Sequence, residues 1–386
     1  MNQDSESGTF LLADYIQKIA ATDGMKPDIK PVLFGLFGEV GGIMATAKKH
    51  HREGKAYYGY RLAVEDEFGD TLWYLAALCR RLDQNLEEII DNVISGSEYA
   101  SVIAASDLSN GSISRIVSPK EVRAIDDALL TLGQSAAKLL EVGQGSVNPK
   151  PLLMDFVDQY LKALEVAQLS FAEIARSNLK KTVGRFVEPA PEDLPIFDWK
   201  FLEEERLPDR FEIEIRERAS GKSYLRWNGV FIGDPLTDNI GDPDGYRFHD
   251  VFHFAHAAIL HWSPVMRALI RQKRKSVPDF DEAQDGGRAI VVEEGLTAWI
   301  FSRAKDLDFF EGQNGVSFDM LKTVEGFVKG YEVERCPLRL WERAILDGYS
   351  VFRKVRENGG GVVIGDRSSR TIEYRPLAVE GRDETS

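Results

Sequence analysis

Glu65-Asp66-Glu67-Phe68-Gly69-Asp70-Thr71-Leu72-Trp73-Tyr74 places two carboxylates, Glu67 and Asp70, one helical turn apart and runs on into an apolar stretch. Positions i and i+3 of an α-helix differ by about 60° in azimuth, so both side chains can address one hard cation. Upstream, Gly38-Glu39-Val40-Gly41-Gly42 forms a first acidic turn, and the basic stretch Lys48-Lys49-His50-His51-Arg52 lies between the two. Apolar residues recur at three- and four-residue spacing over 10–22, 30–52, 60–82 and 86–98, which predicts helices there. Asn85 before Leu86-Glu87-Glu88 is the expected N-cap of the last of them. Carboxylates carried on the helices of a bundle suit Mg²⁺, and Mg²⁺ suits phosphate esters.

On these motifs the segment from 30 to 95 resembles the MazG-like all-α nucleoside triphosphate pyrophosphohydrolases, whose pattern is a Glu-x-x-Glu turn, a spacer and a Glu-x-x-Asp turn. Glu39 matches the first position of that pattern, Glu67 and Asp70 the third and fourth, and Leu72-Trp73-Tyr74-Leu75-Ala76-Ala77-Leu78 the tail. Gly42 stands where the family carries its second Glu. The resemblance implies Mg²⁺, with Mn²⁺ as the alternative ion, held by Glu39, Glu67 and Asp70 as catalytic ligands. It also implies cleavage of a nucleoside triphosphate to monophosphate and pyrophosphate, in nucleotide-pool control or phage defence, and a homo-oligomeric assembly. Because one ligand of the family's set is absent, a weakened protein that binds or senses nucleotides is the competing expectation. Lys48 and Lys49 are candidate phosphate contacts, a solvated helix end being the alternative.

Composition limits the rest. The chain has 386 residues, enough for two or three domains, and 48 basic against 62 acidic residues give a net charge of −14, which argues against nucleic-acid partners and membrane-surface attachment. Cys79, inside an apolar helix, and Cys336, before a proline, do not make a disulfide framework, so a reducing, cytoplasmic setting is expected. Met1-Asn2-Gln3-Asp4-Ser5-Glu6-Ser7 is polar and acidic, and no run of about 18 uninterrupted apolar residues predicts a membrane span.

After a linker rich in Ser, Asn and Gly at 106–118, helical periodicity resumes at Pro119 and parallels the first stretch. Leu132-Gly133-Gln134 aligns with Phe37-Gly38-Glu39, and Asp155-Phe156-Val157-Asp158 with Glu67-Phe68-Gly69-Asp70. Leu169-Ser170-Phe171-Ala172-Glu173-Ile174 aligns with Gln84-Asn85-Leu86-Glu87-Glu88-Ile89. Ordered agreement at three places predicts a tandem whose second copy is degenerate, with Gln134 and Ala137 at the first two acidic positions, against the alternative that any two amphipathic helices look alike. Its end, Asn178-Leu179-Lys180-Lys181-Thr182-Val183-Gly184-Arg185-Phe186, resembles the family's usual helix end, which makes Lys181 and Arg185 candidate substrate contacts. An asymmetric division of roles is then expected, with metal on the first copy and basic groups partly from the second.

Glu188-Pro189-Ala190-Pro191-Glu192-Asp193-Leu194-Pro195 interrupts the helices and marks the next boundary. Period-two alternation predicts strands over Phe211-Glu212-Ile213-Glu214-Ile215-Arg216 and over 224–232, and a closing hairpin pairs 362–364 with 371–374. Between them, Tyr246-Arg247-Phe248-His249-Asp250-Val251-Phe252-His253-Phe254-Ala255-His256 reads as a helix with His249, His253 and His256 on one face. Glu293 and Glu294 are their expected partners. This set suits acid/base work, a nucleotide contact or, as the less favoured occupant, a transition metal, against the alternative of a satisfied polar seam. Arg267 to Ser276 is a basic island, read either as a contact for phosphate or a nucleic-acid backbone or as a solvated helix end, and 278–287 as a loop. The region from 195 to 376 resembles the C-terminal domain attached to some MazG-like proteins, on Tyr246 to His253, Trp262-Ser263-Pro264-Val265 and Gly286 to Gly295.

The expected fold is mainly α: tandem all-α helical-bundle units at 10–105 and 119–187, then an α+β domain with short hairpins at 195–376. The leading functional expectation is a pyrophosphohydrolase, and a third reading places catalysis in the histidine/glutamate cluster.

Overall fold

The computed structural model describes residues 11–96, 125–145 and 147–377. The polar start at 1–7 and the linker expected at 106–118 lie outside them. The chain is mainly helical, with one small antiparallel sheet in its C-terminal region. It divides into two compact units, Met1–Val187 and Glu188–Ser386.

Among the described residues the first unit is all helix: α1 Leu12–Ala20, α2 Ile29–Glu53, α3 Tyr60–Arg81, α4 Leu86–Ser95, α5 Ile125–Leu139, α6 Pro149–Val166 and α7 Phe171–Phe186. Their starts are written in the sequence as side-chain caps. The Asn85 side chain accepts from the backbone N–H of Glu87 at 2.9 Å and of Glu88 at 3.2 Å, and the Asp28, Asn148 and Ser170 side chains cap α2, α6 and α7 in the same way. Each such cap contributes about 1 kcal/mol.

The two helical stretches share one core. Leu36, Val40, Phe68 and Leu72 from the first stretch and Leu132, Phe156 and Tyr160 from the second belong to a single buried cluster. Complete burial of a side chain of this kind contributes about 1.5–3 kcal/mol. The packing is reciprocal: α2 lies on α5, α3 on α7, and α6 on α4. Tyr160 stitches α6 to α3 by donating its hydroxyl to the Phe68 carbonyl at 2.9 Å. Helix α2 is long and apolar enough, by length and composition, to cross a membrane. Here Val32, Leu33, Leu36, Val40 and Ile43 bury one of its faces in this core.

The second unit holds β1 Arg210–Glu217, β2 Ser223–Trp227, β3 Val230–Leu236, β4 Gly360–Asp366 and β5 Thr371–Arg375, in the order β3-β2-β1-β4-β5 with every pair antiparallel. The strand expected over 224–232 is two strands. Asn228 and Gly229, both at positive φ, make a two-residue turn that pairs Trp227 with Val230, the backbone twist such hairpins prefer.

Helices α8 Asp250–Ala255, α9 Pro264–Leu269, α10 Pro278–Ala283, α11 Gly287–Ala304, α12 Phe318–Val328 and α13 Leu338–Glu357 complete the unit. The long helix α13 packs on α8, β4 and β5. The stretch expected as a loop at 278–287 contains α10. The basic island is neither a phosphate contact nor a solvated end at its two key arginines. Arg267 and Arg274 are buried, Arg267 on Asp198 at 2.7 Å and Arg274 on Asp285 at 2.7 Å and Glu332 at 2.6 Å. Their charge is consumed inside the fold, where losing one partner of such a pair costs about 3–5 kcal/mol.

Candidate functional site

Two clusters of titratable side chains stand out, one in each unit. The first joins α2, α3 and α7. Glu39 on α2 hydrogen-bonds Glu67 on α3, and Asp70 lies close enough for its charge to act on Glu39. Burial first, then the negative charges of Asp70 and Glu67, push the Glu39 carboxyl up to about 8. Gly42 explains how the side chains meet. A Cβ at position 42 would lie 2.1 Å from Glu67 Oε2, so the Glu67 carboxylate occupies the room that a side chain on this turn of α2 would need.

Helix α7 closes the cluster from the other side. Lys181 Nζ is 2.5 Å from Asp70 Oδ1 and also pairs with Asp66. Asn178 donates its amide to Asp70 Oδ1 at 3.0 Å and accepts the Tyr15 hydroxyl at 2.9 Å, a buried chain that fixes the Asp70 carboxylate. A Cβ on Gly69 would stand 3.0 Å from the Asn178 Cβ, so glycine there lets α3 and α7 come this close.

Of the residues expected from sequence, Glu39, Glu67, Asp70 and Lys181 come together. Arg185 lies one turn beyond Lys181 on α7, its guanidinium 5.3 Å from the Phe186 ring. Lys48 is about 14 Å along and about 180° round α2 from Glu39, and Lys49 rests its ammonium 4.2 Å from the Tyr57 ring centre. Neither lysine is brought to the carboxylates. Asp66, Asn178 and Tyr15 were not singled out by sequence. Asn178 and Tyr15 are polar residues on buried helix faces, a signal that appears only once the packing is known.

The aligned turn on α6 is different. Asp155 pairs with Lys138 at 3.2 Å and Asp158 with Lys162 at 2.6 Å, while Gln134, at the position aligned with Glu39, is exposed.

The second cluster is built on the segment that opens α8. A 3₁₀ turn, Tyr246–Phe248, leads into α8, which passes into a π-helical turn over His256–Leu260. The uniform α-helix expected for the histidine stripe is therefore interrupted at His256. π-turns of this kind recur at functional sites and reset side-chain azimuth.

Glu293 on α11 is wholly buried and held from several sides. Its Oε1 accepts His256 Nδ1 at 2.9 Å and lies 3.0 Å from His253 Nδ1, and its Oε2 accepts the Ser263 hydroxyl at 3.0 Å and the Val265 N–H at 2.9 Å. Glu294, partly exposed, sets Oε2 3.4 Å from His253 Nε2 and 3.5 Å from His249 Nε2. His249 donates Nδ1–H to the Tyr246 carbonyl at 2.9 Å, and the Tyr246 ring stacks on it at 4.3 Å.

Burial opposes a charged His253, but the carboxylates of Glu293 and Glu294 outweigh it and lift the ring to about 10. Burial likewise opposes ionisation of Glu293, and the His253 and His256 rings hold it down at about 2. All five residues expected here, His249, His253, His256, Glu293 and Glu294, converge. Asp250, which sequence did not assign, is buried among them, its carboxyl raised by burial.

Residues 192–378 match the family model of the MazG C-terminal domain. Neither the curated proteins nor the solved structures contain a match to this chain.

Proposed function

We propose that the chain is a Mg²⁺-dependent nucleotide pyrophosphohydrolase that cleaves a nucleoside triphosphate between its α and β phosphorus atoms. Water oxygen joins the α phosphorus, the anhydride bond breaks, and nucleoside monophosphate and pyrophosphate leave. The observation that carries this reading is the meeting of Glu39 with Glu67 over Gly42, beside Asp70. Three carboxylates crowded at a partly buried place repel one another, and an all-oxygen set of this kind fits a hard dication that keeps part of its water shell. The MazG C-terminal domain at 192–378 lends the reading independent support.

When bound, Mg²⁺ supplies charge for the phosphate oxygens and lowers the pKa of an attached water. The chain's own part is positional. Asn178, itself held by Tyr15, aims Asp70. Lys181 neutralises Asp66 and Asp70 until the ion competes for them, and is then a point charge for phosphate. Glu39, carrying its proton near neutral pH, gives it up as the ion arrives.

The purified chain, incubated with Mg²⁺ and a panel of nucleoside triphosphates, is expected to yield monophosphate and pyrophosphate in equal amounts. Diphosphate plus orthophosphate would refute the cleavage position. Nucleotide binding without turnover would move the chain to the sensing reading.

A further inference from the structure

Glu293 leaves the second cluster with a specific imbalance. Its oxygens are taken up by His256, Ser263 and Val265, so it is a fixed acceptor behind His253 rather than an open ligand. The Tyr246 carbonyl can only accept, so His249 carries a proton on Nδ1 and turns Nε2 outward. His253, wholly buried, has no well-aligned hydrogen bond at either ring nitrogen, and its Nδ1 faces the Glu293 carboxylate. Two imidazole Nε2 atoms thus face one carboxylate oxygen, Glu294 Oε2, at 3.4 and 3.5 Å.

These separations are long for a hydrogen bond. They equal the edge of a tetrahedron whose corners lie about 2.1 Å from a central ion, which is about 3.4 Å. Asp250 adds a buried carboxylate oxygen within 4.8 Å of ligand nitrogens on His249 and His253. Metal-bound histidines are backed by an acceptor at the far ring nitrogen; the Tyr246 carbonyl is hydrogen-bonded to His249 there, and a Glu293 oxygen stands 3.0 Å from His253 Nδ1. A proton bridges one nitrogen to Glu294 at a time, whereas a dication satisfies both nitrogens and the oxygen together.

We propose that the C-terminal unit holds a divalent transition-metal ion on His249 Nε2, His253 Nε2, Glu294 and Asp250, with Glu293 as the positioning residue behind His253. Nitrogen and oxygen donors in this mixture select Zn²⁺, Mn²⁺ or Fe²⁺ over the Mg²⁺ assigned to the first unit. The partial exposure of Glu294 leaves that side of the ion open to solvent.

The test uses the full chain, stripped with chelator, reloaded with Co²⁺ or Zn²⁺ and desalted. One ion per chain is expected to remain, Co²⁺ giving visible ligand-field bands. The same ion is expected in Asp70→Asn, which separates this site from the carboxylates of the first unit. Glu294→Gln, at the part-exposed position, and His249→Ala are expected to weaken binding by about tenfold or more with an unchanged circular dichroism spectrum. Glu293→Gln is expected to weaken it while leaving the donor count and the band positions nearly the same. No retained ion in the parent chain, or uptake unaffected by Glu294→Gln and His249→Ala, would overturn the proposal.

Discussion

Glu67-Phe68-Gly69-Asp70 on α3 and Asp155-Phe156-Val157-Asp158 on α6 align in sequence and occupy helices that pack reciprocally, yet they differ in what surrounds their carboxylates. On α6 each aspartate has a lysine partner from the same stretch of chain, Lys138 for Asp155 and Lys162 for Asp158. On α3 the basic partner comes from α7, while Glu39 from α2 adds a further acid and is held about half-protonated near pH 8. A carboxylate pair on a helix is thus not a site by itself. The α3 pair differs in that a further carboxylate, Glu39, reaches it from a neighbouring helix and a glycine leaves room for the oxygens to gather.

The sharpest way to break this contrast is a pair of parallel substitutions. Asp70→Asn is expected to reduce pyrophosphate release by about 100-fold or more, while Asp158→Asn, which loses a part-exposed ion pair with Lys162 and alters a contact with the adjacent Gln159, stays within about twofold. Equal losses would end the asymmetric division of roles. Next in size is Asn178→Ala, which removes the amide that joins Asp70 to the buried Tyr15 hydroxyl. It should weaken Mg²⁺ binding by about tenfold, and denaturant unfolding should show a loss of about 1–3 kcal/mol.

Glu39 gives a pH signature that the exposed Gln134 has no counterpart for. A carboxyl whose folded pKa of about 8 lies above its ordinary 4.5 keeps its proton in the folded chain after the unfolded chain has released it. The associated stability is complete below pH 4.5 and drains away as pH rises through 8. The metal-free chain should therefore melt a few degrees lower at pH 8.5 than at pH 5.5 on account of this group. Glu39→Gln should flatten that part of the melting profile, and calorimetry near pH 7 should register proton release when Mg²⁺ binds.

The smallest effect is the most diagnostic of packing. Gly42→Ala relieves a helix-interior glycine and should raise stability by about 0.5–1 kcal/mol. The new methyl also forces Glu67 to rotate away, so Mg²⁺ affinity should fall several-fold in the same protein. A variant that gains stability with unchanged affinity would show that Glu67 does not need its present position.

Much of this was legible in advance where the relevant physics is local. Cap residues such as Asn85 and Ser170 declare helix starts because they bond backbone two or three residues away. The closing hairpin from β4 to β5 follows from alternation, and helical spacing places His249, His253 and His256 on one face; nothing in that spacing specifies Glu293 and Glu294, which lie on another helix. The Asn228-Gly229 turn is equally local but is masked in the sequence, because the flanking apolar alternation continues across it. Arg267 and Arg274 misled for the opposite reason: a cluster of basic letters carries no mark of the distant acids Asp198, Asp285 and Glu332 that neutralise them.

Sequence alone determined the helical and strand segments, the acidic turn on α3 and the histidine stripe, since periodicity and residue chemistry are properties of neighbours along the chain. Tertiary structure decided which carboxylates remain balanced and which are crowded, that Gly42 makes room for Glu67, and that Asn178 rather than Lys48 or Lys49 reaches the α3 turn. Those outcomes depend on which helix faces come to lie a few ångströms apart, and charge compensation and burial act through space over residues far separated in the chain.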